Sequence, residues 1–315
     1  MARYLITGGG GFVGSNLVEA LLRDGQAVRA LDDFSTGRRE NLADAEEWRS
    51  AGGGEYELHE GDIRDAGTCR GAMRDVDYVL HEAAIPSVPR SVRDPVTTNR
   101  VNVEGTLNLL QAAREAGVKR FVYASSSSLY GESETLPKIE TMPPAPISPY
   151  GLQKLTGEIY CALYHRLYGL PTVALRYFNV FGPRQDPSSD YSAVIPRFIT
   201  AVRDGLQPTI YGDGEQSRDF TFVRNVIHAN LLACRAGEGA LGRAFNIGCG
   251  ERITLNELVG VIGDLVGREI APEYADPRPG DIRHSLAAID AATEYLGFEP
   301  EIDLIEGLKR TIEAY

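Results

Sequence analysis

Residues 148–154 read SPYGLQK, which sets Tyr150 and Lys154 four positions apart behind a Ser-Pro pair. Serine is a favoured N-cap and proline is favoured at the first helical position, so a helix is predicted to begin here. The phenol and the ammonium then share one helix face. A surface aromatic beside a solvated lysine would have the same spacing, so the pair needs a context. Upstream, ASSSSLYG (124–131) follows an apolar run and places several hydroxyls at what should be a strand's carboxyl end. A plain serine-rich turn would read the same way. At the other end of the chain, GGGGFVG (8–14) follows the first apolar run and precedes a helical pattern. Gly8, Gly11 and Gly14 give GxxGxxG spacing, with Gly10 also available, and the missing side chains let backbone N–H groups approach a pyrophosphate at a helix N-terminus. Asp32 ends the next strand, 21 residues after Gly11. A carboxylate there accepts hydrogen bonds from both adenosine ribose hydroxyls and repels a 2′-phosphate, which favours NAD over NADP. Arg38 and Arg39 could argue otherwise, although they read as the start of a solvated helix. Asp62, in GDIRD (61–65), falls where a further strand should end and either touches the adenine edge or is an ordinary loop aspartate.

The elements that must hold these residues are legible as a repeating pattern. RYLIT (3–7), AVRAL (27–31), VDYVLH (76–81), RFVYAS (120–125) and TVALRYF (172–178) are short β-rich runs, separated by helical stretches such as 16–25, 101–117 and Pro149 to Tyr168. Near-continuous apolar strands alternating with amphipathic helices predict a parallel sheet covered on both faces, an α/β doubly wound (Rossmann) fold. After about residue 180 the chain becomes Pro- and Gly-punctuated, which predicts a smaller α/β C-terminal substrate lobe. The expected division is 1–178 for the dinucleotide and 179–315 for the substrate, with segments near 221–248, including AFNIG (244–248), returning to the first sheet. AGGGE (51–55) reads as a loop. The formal net charge of −12 offers no basic surface for nucleic acid. Cys69, Cys161, Cys234 and Cys249 lack metal-type spacing and fit reduced thiols in a cytoplasmic protein, so no metal is expected. No run approaches a membrane span.

Taken together, the serines, the YxxxK pair and the glycine loop form the serine, tyrosine and lysine arrangement to which the short-chain dehydrogenase/reductase superfamily is similar. Tyrosine with a pKa near 10 is a poor base, but Lys154 and a positive nicotinamide can stabilise its phenolate. Tyr150 would take a proton from a sugar hydroxyl as hydride leaves the same carbon, Ser126 would polarise the oxygen, and Lys154 would also bind the nicotinamide ribose. Almost the whole chain resembles the extended branch, specifically NAD-dependent UDP-sugar 4-epimerases, through LHEAA (80–84), PSVPRS (86–91), TTNRVNVEGT (97–106), LRYFNVFGPRQDP (175–187), GDGEQSRDF (212–220) and RPGDIRHSLA (278–287). The resemblance implies a cofactor site comprising Gly8, Gly11, Phe12, Val13, Gly14, Asp32, Asp33, Ser35, Thr36, Gly37, Asp62, Ile63, Ala83, Ala84, Asn102, Tyr150, Lys154 and Tyr177. It implies that Asn179 and Arg218 bind the substrate pyrophosphate, that Arg278 and Asp281 grip phosphate and uridine ribose, and that Ser87, Gln185 and Ala193 border the hexose. Ser126, Ser127, Ser128, Tyr150, Val194 and Ser285 complete the implied substrate site.

Sugar 4,6-dehydratases carry an Asp-Glu pair just after the catalytic hydroxyl, to eliminate water; here those positions are Ser127 and Ser128, which disfavours elimination. The glutamate of the decarboxylating relatives is missing from this turn as well. Ser285 matches a position where a bulky tyrosine excludes an N-acetyl group, so serine implies the UDP-N-acetylglucosamine and UDP-N-acetylgalactosamine pair, with some UDP-glucose and UDP-galactose turnover. Arg184 supports a rival, since an arginine near the hexose could bind the carboxylate of UDP-glucuronate. A non-enzymatic NAD-binding scaffold is a further alternative, against which the intact Tyr150 and Lys154 count. The resemblance also implies a homodimer, with Leu107, Leu110, Leu163 and Leu167 either at its interface or in the core.

Overall fold

Strand β1 (Arg3–Thr7) sends Tyr4 and Ile6 to one face of the sheet and Leu5 to the other, and all three are buried because helices cover both faces. The computed structural model describes residues 1–187, 193–277 and 282–315. After β1 come α1 (Phe12–Arg23), β2 (Ala27–Asp32), α2 (Ala45–Gly52), β3 (Glu55–Glu60), α3 (Ala66–Ala72) and β4 (Tyr78–His81). Short helices α4 (Val88–Arg93) and α5 (Pro95–Asn99) lead into a π-helical turn (Arg100–Gly105) and α6 (Thr106–Ala116). Next stand β5 (Arg120–Ser126), a 3₁₀ turn (Ser127–Tyr130), α7 (Pro149–Tyr168) and β6 (Thr172–Tyr177). The remainder comprises β7 (Val180–Phe181), α8 (Val194–Arg203), β8 (Thr209–Tyr211), β9 (Ser217–Arg218), β10 (Thr221–Phe222), α9 (Val223–Arg235), β11 (Arg243–Ile247), β12 (Ile253–Thr254), α10 (Leu255–Val266), β13 (Glu273–Ala275), α11 (Asp290–Leu296) and α12 (Leu304–Ala314).

Seven strands form one parallel sheet in the order β3-β2-β1-β4-β5-β6-β11, so the doubly wound prediction holds. The chain order reverses between β1 and β4, and the carboxyl ends of those strands bound the crevice where ligands sit in such folds. The glycine loop leaves β1 at this switch point. One core layer joins α1, α8, α9 and α10 to the sheet; the other packs Leu109, Leu110, Cys161 and Tyr164 beneath Leu5, Val79 and Phe121. The AFNIG stretch is β11, paired with β6 at the sheet's edge. Three two-stranded ladders, β7 with β10, β8 with β13 and β9 with β12, lie beyond the sheet.

Two local readings need correction. The 51–55 loop is shorter than expected, because α2 runs to Gly52 and Glu55 already opens β3. β3 is an exposed edge strand carrying Glu55, Glu57 and Glu60, so its sequence lacks the apolar alternation that marks a buried strand. The helix expected over 101–117 is likewise interrupted by the π turn. There Asn102 is turned inward: its Oδ1 accepts from Ile85 N (2.8 Å) and its Nδ2 donates to Gln153 Oε1 (2.8 Å). The wider turn aims one side chain into the crevice wall, a frequent use of π geometry.

Candidate active site

Gly8 sits at φ +70°, where a Cβ would lie 2.8 Å from Ala83 N, and a Cβ on Gly14 would lie 2.0 Å from the Gly8 carbonyl. Glycine is therefore required at both positions for the loop to close and for α1 to start against it. Gly11 caps α1 without a side-chain bond, and no acidic residue occupies the first turn, so the amides of Phe12 and Val13 face the crevice uncapped. That cradle fits a diphosphate. At the tip of β2, Asp32 is 8% exposed and accepts from Gly10 N (2.8 Å) and Phe34 N (2.8 Å). Burial raises its pKa above the ordinary carboxylate value. The loop through Thr36 and Gly37 folds back on it, while Asp33 is occupied by Ser35 N (2.9 Å) and Ser35 Oγ (2.6 Å). Arg38 pairs with Asp186 (2.7 Å) and Arg39 with Glu60 (2.6 Å). Asp62 accepts from Arg64 N and Nε (2.8 Å each), and Ile63 packs against Gly105.

The predicted helix start is as read: Ser148 Oγ accepts from Gly151 N (3.1 Å) and Pro149 opens α7. Tyr150 N donates to Ser91 Oγ (3.0 Å), which ties α7 to α4. Gly157 lets α7 approach β5 so closely that a Cβ there would be 2.3 Å from the Tyr123 hydroxyl. In consequence Lys154, only 4% exposed, donates from Nζ to Ala124 O (2.6 Å) with its ammonium 5.9 Å from the Tyr150 ring centroid. Ser126, at the end of β5, stands close enough to the Tyr150 phenol to ease its ionisation, and its Oγ accepts from Ser128 N (3.2 Å). Three residues that the sequence separates by 28 positions thus converge at one strand end. Ser128 Oγ beside them is buried without a hydrogen-bond partner, a group left for a ligand to satisfy.

Toward the C-terminal part, Asn179 takes the left-handed region (φ 28°) and donates to Asp219 O (3.2 Å). Asp219 is fully buried, with its carboxylate accepting from Cys249 N (2.8 Å), Gly250 N (3.1 Å) and Ala287 N (3.1 Å). Neighbouring Arg218 donates to Ser217 O (3.0 Å), and Ser285 N donates to the same oxygen (3.0 Å). Asn179, Arg218 and Ser285 are therefore gathered along the backbone carbonyls of Ser217 and Asp219. Ala193 and Val194 open α8, and Arg278 and Asp281 lie outside the described residues. Ser87 is the N-cap of α4, accepting from Arg90 N (3.1 Å), and Gln185 donates to Val180 O (3.1 Å) while its Oε1 is buried without a partner. Arg184 turns toward α1. It donates to Asn16 Oδ1 and Glu19 Oε2 (2.6 Å each) on α1 and stacks on Trp48. The backbone at φ 68° swings it that way. Asn102 sits in the crevice wall with its amide bonded to Ile85 and Gln153.

Residues 4–248 match the NAD dependent epimerase/dehydratase family. The chain belongs to that family. A UDP-glucose 4-epimerase of Mycolicibacterium smegmatis is 40% identical, covering 99% of this chain and 98% of the relative. Among solved structures, a UDP-N-acetylglucosamine 4-epimerase from Methanobrevibacter ruminantium, in complex with UDP-N-acetylmuramic acid, superposes with a TM-score of 0.93 at 40% identity, covering 99% and 97% of the two chains. The UDP-glucose 4-epimerase of Thermotoga maritima, with UDP-glucose, gives 0.92 at 38% identity, covering 99% and 98%. UDP-glucuronate 4-epimerases and dTDP-glucose 4,6-dehydratases match over similar lengths.

Within this NAD-dependent epimerase/dehydratase, the electrostatics of the site follow from desolvation. Burial pushes the Tyr150 phenol up to about 12, partly offset by Ser126 beside it, and pushes the Lys154 ammonium down. Sequence reading missed the group that opposes the second effect. Glu82, the first residue after β4, accepts from the Tyr177 hydroxyl (2.7 Å), and Asn230 Nδ2 donates to the same hydroxyl (2.7 Å). A charged residue directly behind an apolar strand, the E of LHEAA, was the available signal. Also missed was the support beneath β5, where buried Arg176 pairs with Glu158 (2.5 Å) and donates to the Tyr130 hydroxyl (2.7 Å), while Ser125 Oγ donates to Glu158 (2.9 Å). Arginine within an apolar strand reads as a break, and its partner on α7 becomes visible only when the strand and helix pack.

Proposed function

We propose that this enzyme interconverts UDP-N-acetylglucosamine and UDP-N-acetylgalactosamine at C4, with some turnover of UDP-glucose and UDP-galactose. UDP-sugar 4-epimerisation with NAD is the reaction class. The observation that carries it is the convergence of Tyr150, Ser126 and Lys154 at the end of β5, in a turn whose next residues are Ser127 and Ser128. Elimination of water needs a carboxylate acid and base there, and serine hydroxyls cannot supply them. Simple oxidation and reduction at C4 remains. NAD, when bound along Gly8 to Gly14 with its ribose on Asp32, supplies the acceptor and donor for the C4 hydride. Tyr150 takes the proton from the 4-hydroxyl and later returns it, Ser126 holds that oxygen, and Lys154 keeps positive charge beside the phenolate. The 4-keto sugar turns about its link to the diphosphate between the two proton transfers. Firm contacts therefore belong on the UDP part, at Asn179 and Arg218, with weaker ones on the hexose.

Ser285 supports the acetylated pair, since its small side chain leaves room that tyrosine would fill. The hold of Asn16 and Glu19 on Arg184 supports the acetylated pair over a uronate. Division of labour between 1–178 for NAD and 179–315 for the nucleotide sugar agrees with the placement of both clusters. Free thiols at all four cysteines support a reducing, cytoplasmic setting, and no helix among the described residues is long and apolar enough to cross a membrane. The test is incubation of the purified enzyme with each UDP-sugar, resolving C4 epimers, alongside Ser285→Tyr. Selective loss of turnover on the acetylated pair is the expected result; equal loss on both pairs would remove Ser285 from specificity.

A further inference from the structure

Glu82 has no part in the mechanism above, although it is a carboxylate held inside the same crevice. It lies between the glycine loop and the reactive pair: its backbone N donates to Thr7 O (3.2 Å), and a Cβ on Gly8 would touch its carbonyl carbon at 3.1 Å. Its side chain is bonded by Tyr177 from β6, so the contact spans the end of β5, the strand between β4 and β6. That strand end is also where Lys154 is anchored on Ala124, with its ammonium 5.9 Å from the Tyr150 ring centroid. Glu82 follows His81, which pairs with Tyr123, so it stands one strand over from Ala124, whose carbonyl holds the ammonium. Tyr177 is in turn held by Asn230, whose Nδ2 also donates to Val226 O (2.9 Å) and whose Oδ1 is buried without a partner. The hydrogen bond from Tyr177 fixes the position of the carboxylate.

We propose that Glu82 is a positioning residue whose carboxylate holds Lys154 as an ammonium and thereby sets the pH range in which Tyr150 can exchange its proton. The proposal rests on the assignment of Tyr150 and Lys154 above. Other titratable groups facing these three contribute no charge near neutrality. His81 on β4, bonded on both sides by Thr7 and Thr106, stays neutral with its pKa pushed down to about 3. Tyr123 on β5, Tyr177 on β6, Cys161 on α7 and Cys234 on α9 are all pushed up by burial and remain protonated. Glu158 on α7, which faces Cys161 and Tyr123, is neutralised by Arg176. Glu82 is accordingly the carboxylate whose field reaches Lys154. Burial acts on the pair in opposite senses, raising the acid and lowering the base, so each depends on the other to stay ionised. Removing the negative charge lowers the pKa of the ammonium and, by ending its repulsion, that of the phenol as well.

The chain has four lysines, Lys119, Lys138, Lys154 and Lys309, so ¹³Cε-lysine NMR resolves Lys154, assigned by its absence in Lys154→Met. The titration uses the purified full chain, without substrate, as wild type, Glu82→Gln and Glu82→Asp. Gln keeps an acceptor for Tyr177 and loses only the charge; Asp keeps the charge and shortens the reach. The Lys154 midpoint should fall by about one pH unit or more in Gln and stay near wild type in Asp, with Lys119 and Lys309 unmoved. In C4 epimerisation both limbs of the pH profile should move to lower pH in Gln. An unmoved Lys154 midpoint, an Asp variant that falls as far as Gln, or a uniform rate loss without a shifted profile would each overturn the proposal. Wild-type enzyme that forms no C4 epimer at any pH would instead sink the epimerase reading, while the NMR titration still decides the role of Glu82.

Discussion

A phenol buried in a cleft is a worse base than one in water, and Tyr150 shows the problem with its pKa pushed up to about 12. The site answers with geometry. Ser126 stands at the phenolic oxygen, where its hydroxyl donates to the phenolate, Lys154 stands behind the ring, and the cofactor's positive ring, when bound, adds to the same field. Each device favours the ionised form, and none acts alone. Tyr150→Phe removes the oxygen while preserving ring packing, so NAD should stay bound and epimerisation should fall by about 10²–10⁴-fold. Initial rates, together with the bound dinucleotide measured by absorbance after gel filtration, check this. Turnover within tenfold of wild type would take Tyr150 out of proton transfer.

At the level of elements, the reactive residues are placed by helix ends and close packing. α7 begins with a capped turn, Ser148 Oγ to Gly151 N, and Tyr150 lies inside that turn. Replacing the cap, Ser148→Ala, should cost about 1 kcal/mol of stability and lower kcat more than it raises KM, because a frayed first turn releases the phenol. Urea denaturation and steady-state kinetics measure the two effects. Unchanged kcat with the stability loss would mean that α4, through Ser91, holds Tyr150 by itself. The close seat of α7 on β5 at Gly157 carries Lys154 to the carbonyl of Ala124, and the Glu158–Arg176 pair fixes the same strand from below. Breaking such a buried pair would leave one charge uncompensated.

At the scale of the whole molecule, α7 still has an apolar face turned outward. Ile159 is 51% and Leu167 60% exposed, and Leu152 and Tyr168 are exposed with them. Of the four leucines that resemblance linked to a dimer, Leu110 is fully buried in the core, Leu107 and Leu163 are half-buried, and Leu167 is open. Exposed apolar residues along one helix suit a second copy of the chain. Ile159→Glu with Leu167→Glu should convert a dimer into a monomer in sedimentation velocity with the far-ultraviolet circular dichroism preserved. A wild-type chain that sediments as a monomer would leave this face without that role.

Sequence alone determined the doubly wound sheet, the glycine turn, Asp32 and the Tyr150–Lys154 helix. These depend on contacts within a few residues or on a repeating period: a cap, an i, i+4 spacing, a glycine demanded by close backbone approach, apolar runs wrapped on both faces. Tertiary structure alone decided the rest. Arg184 went to α1 and Asn102 to the wall of the crevice because partners from distant segments satisfied them first. Glu82 became part of the site because β4 and β6 flank β5, an adjacency that no local pattern encodes. Local chemistry fixes what a residue can do; the strand order fixes which residues stand close enough to do it together.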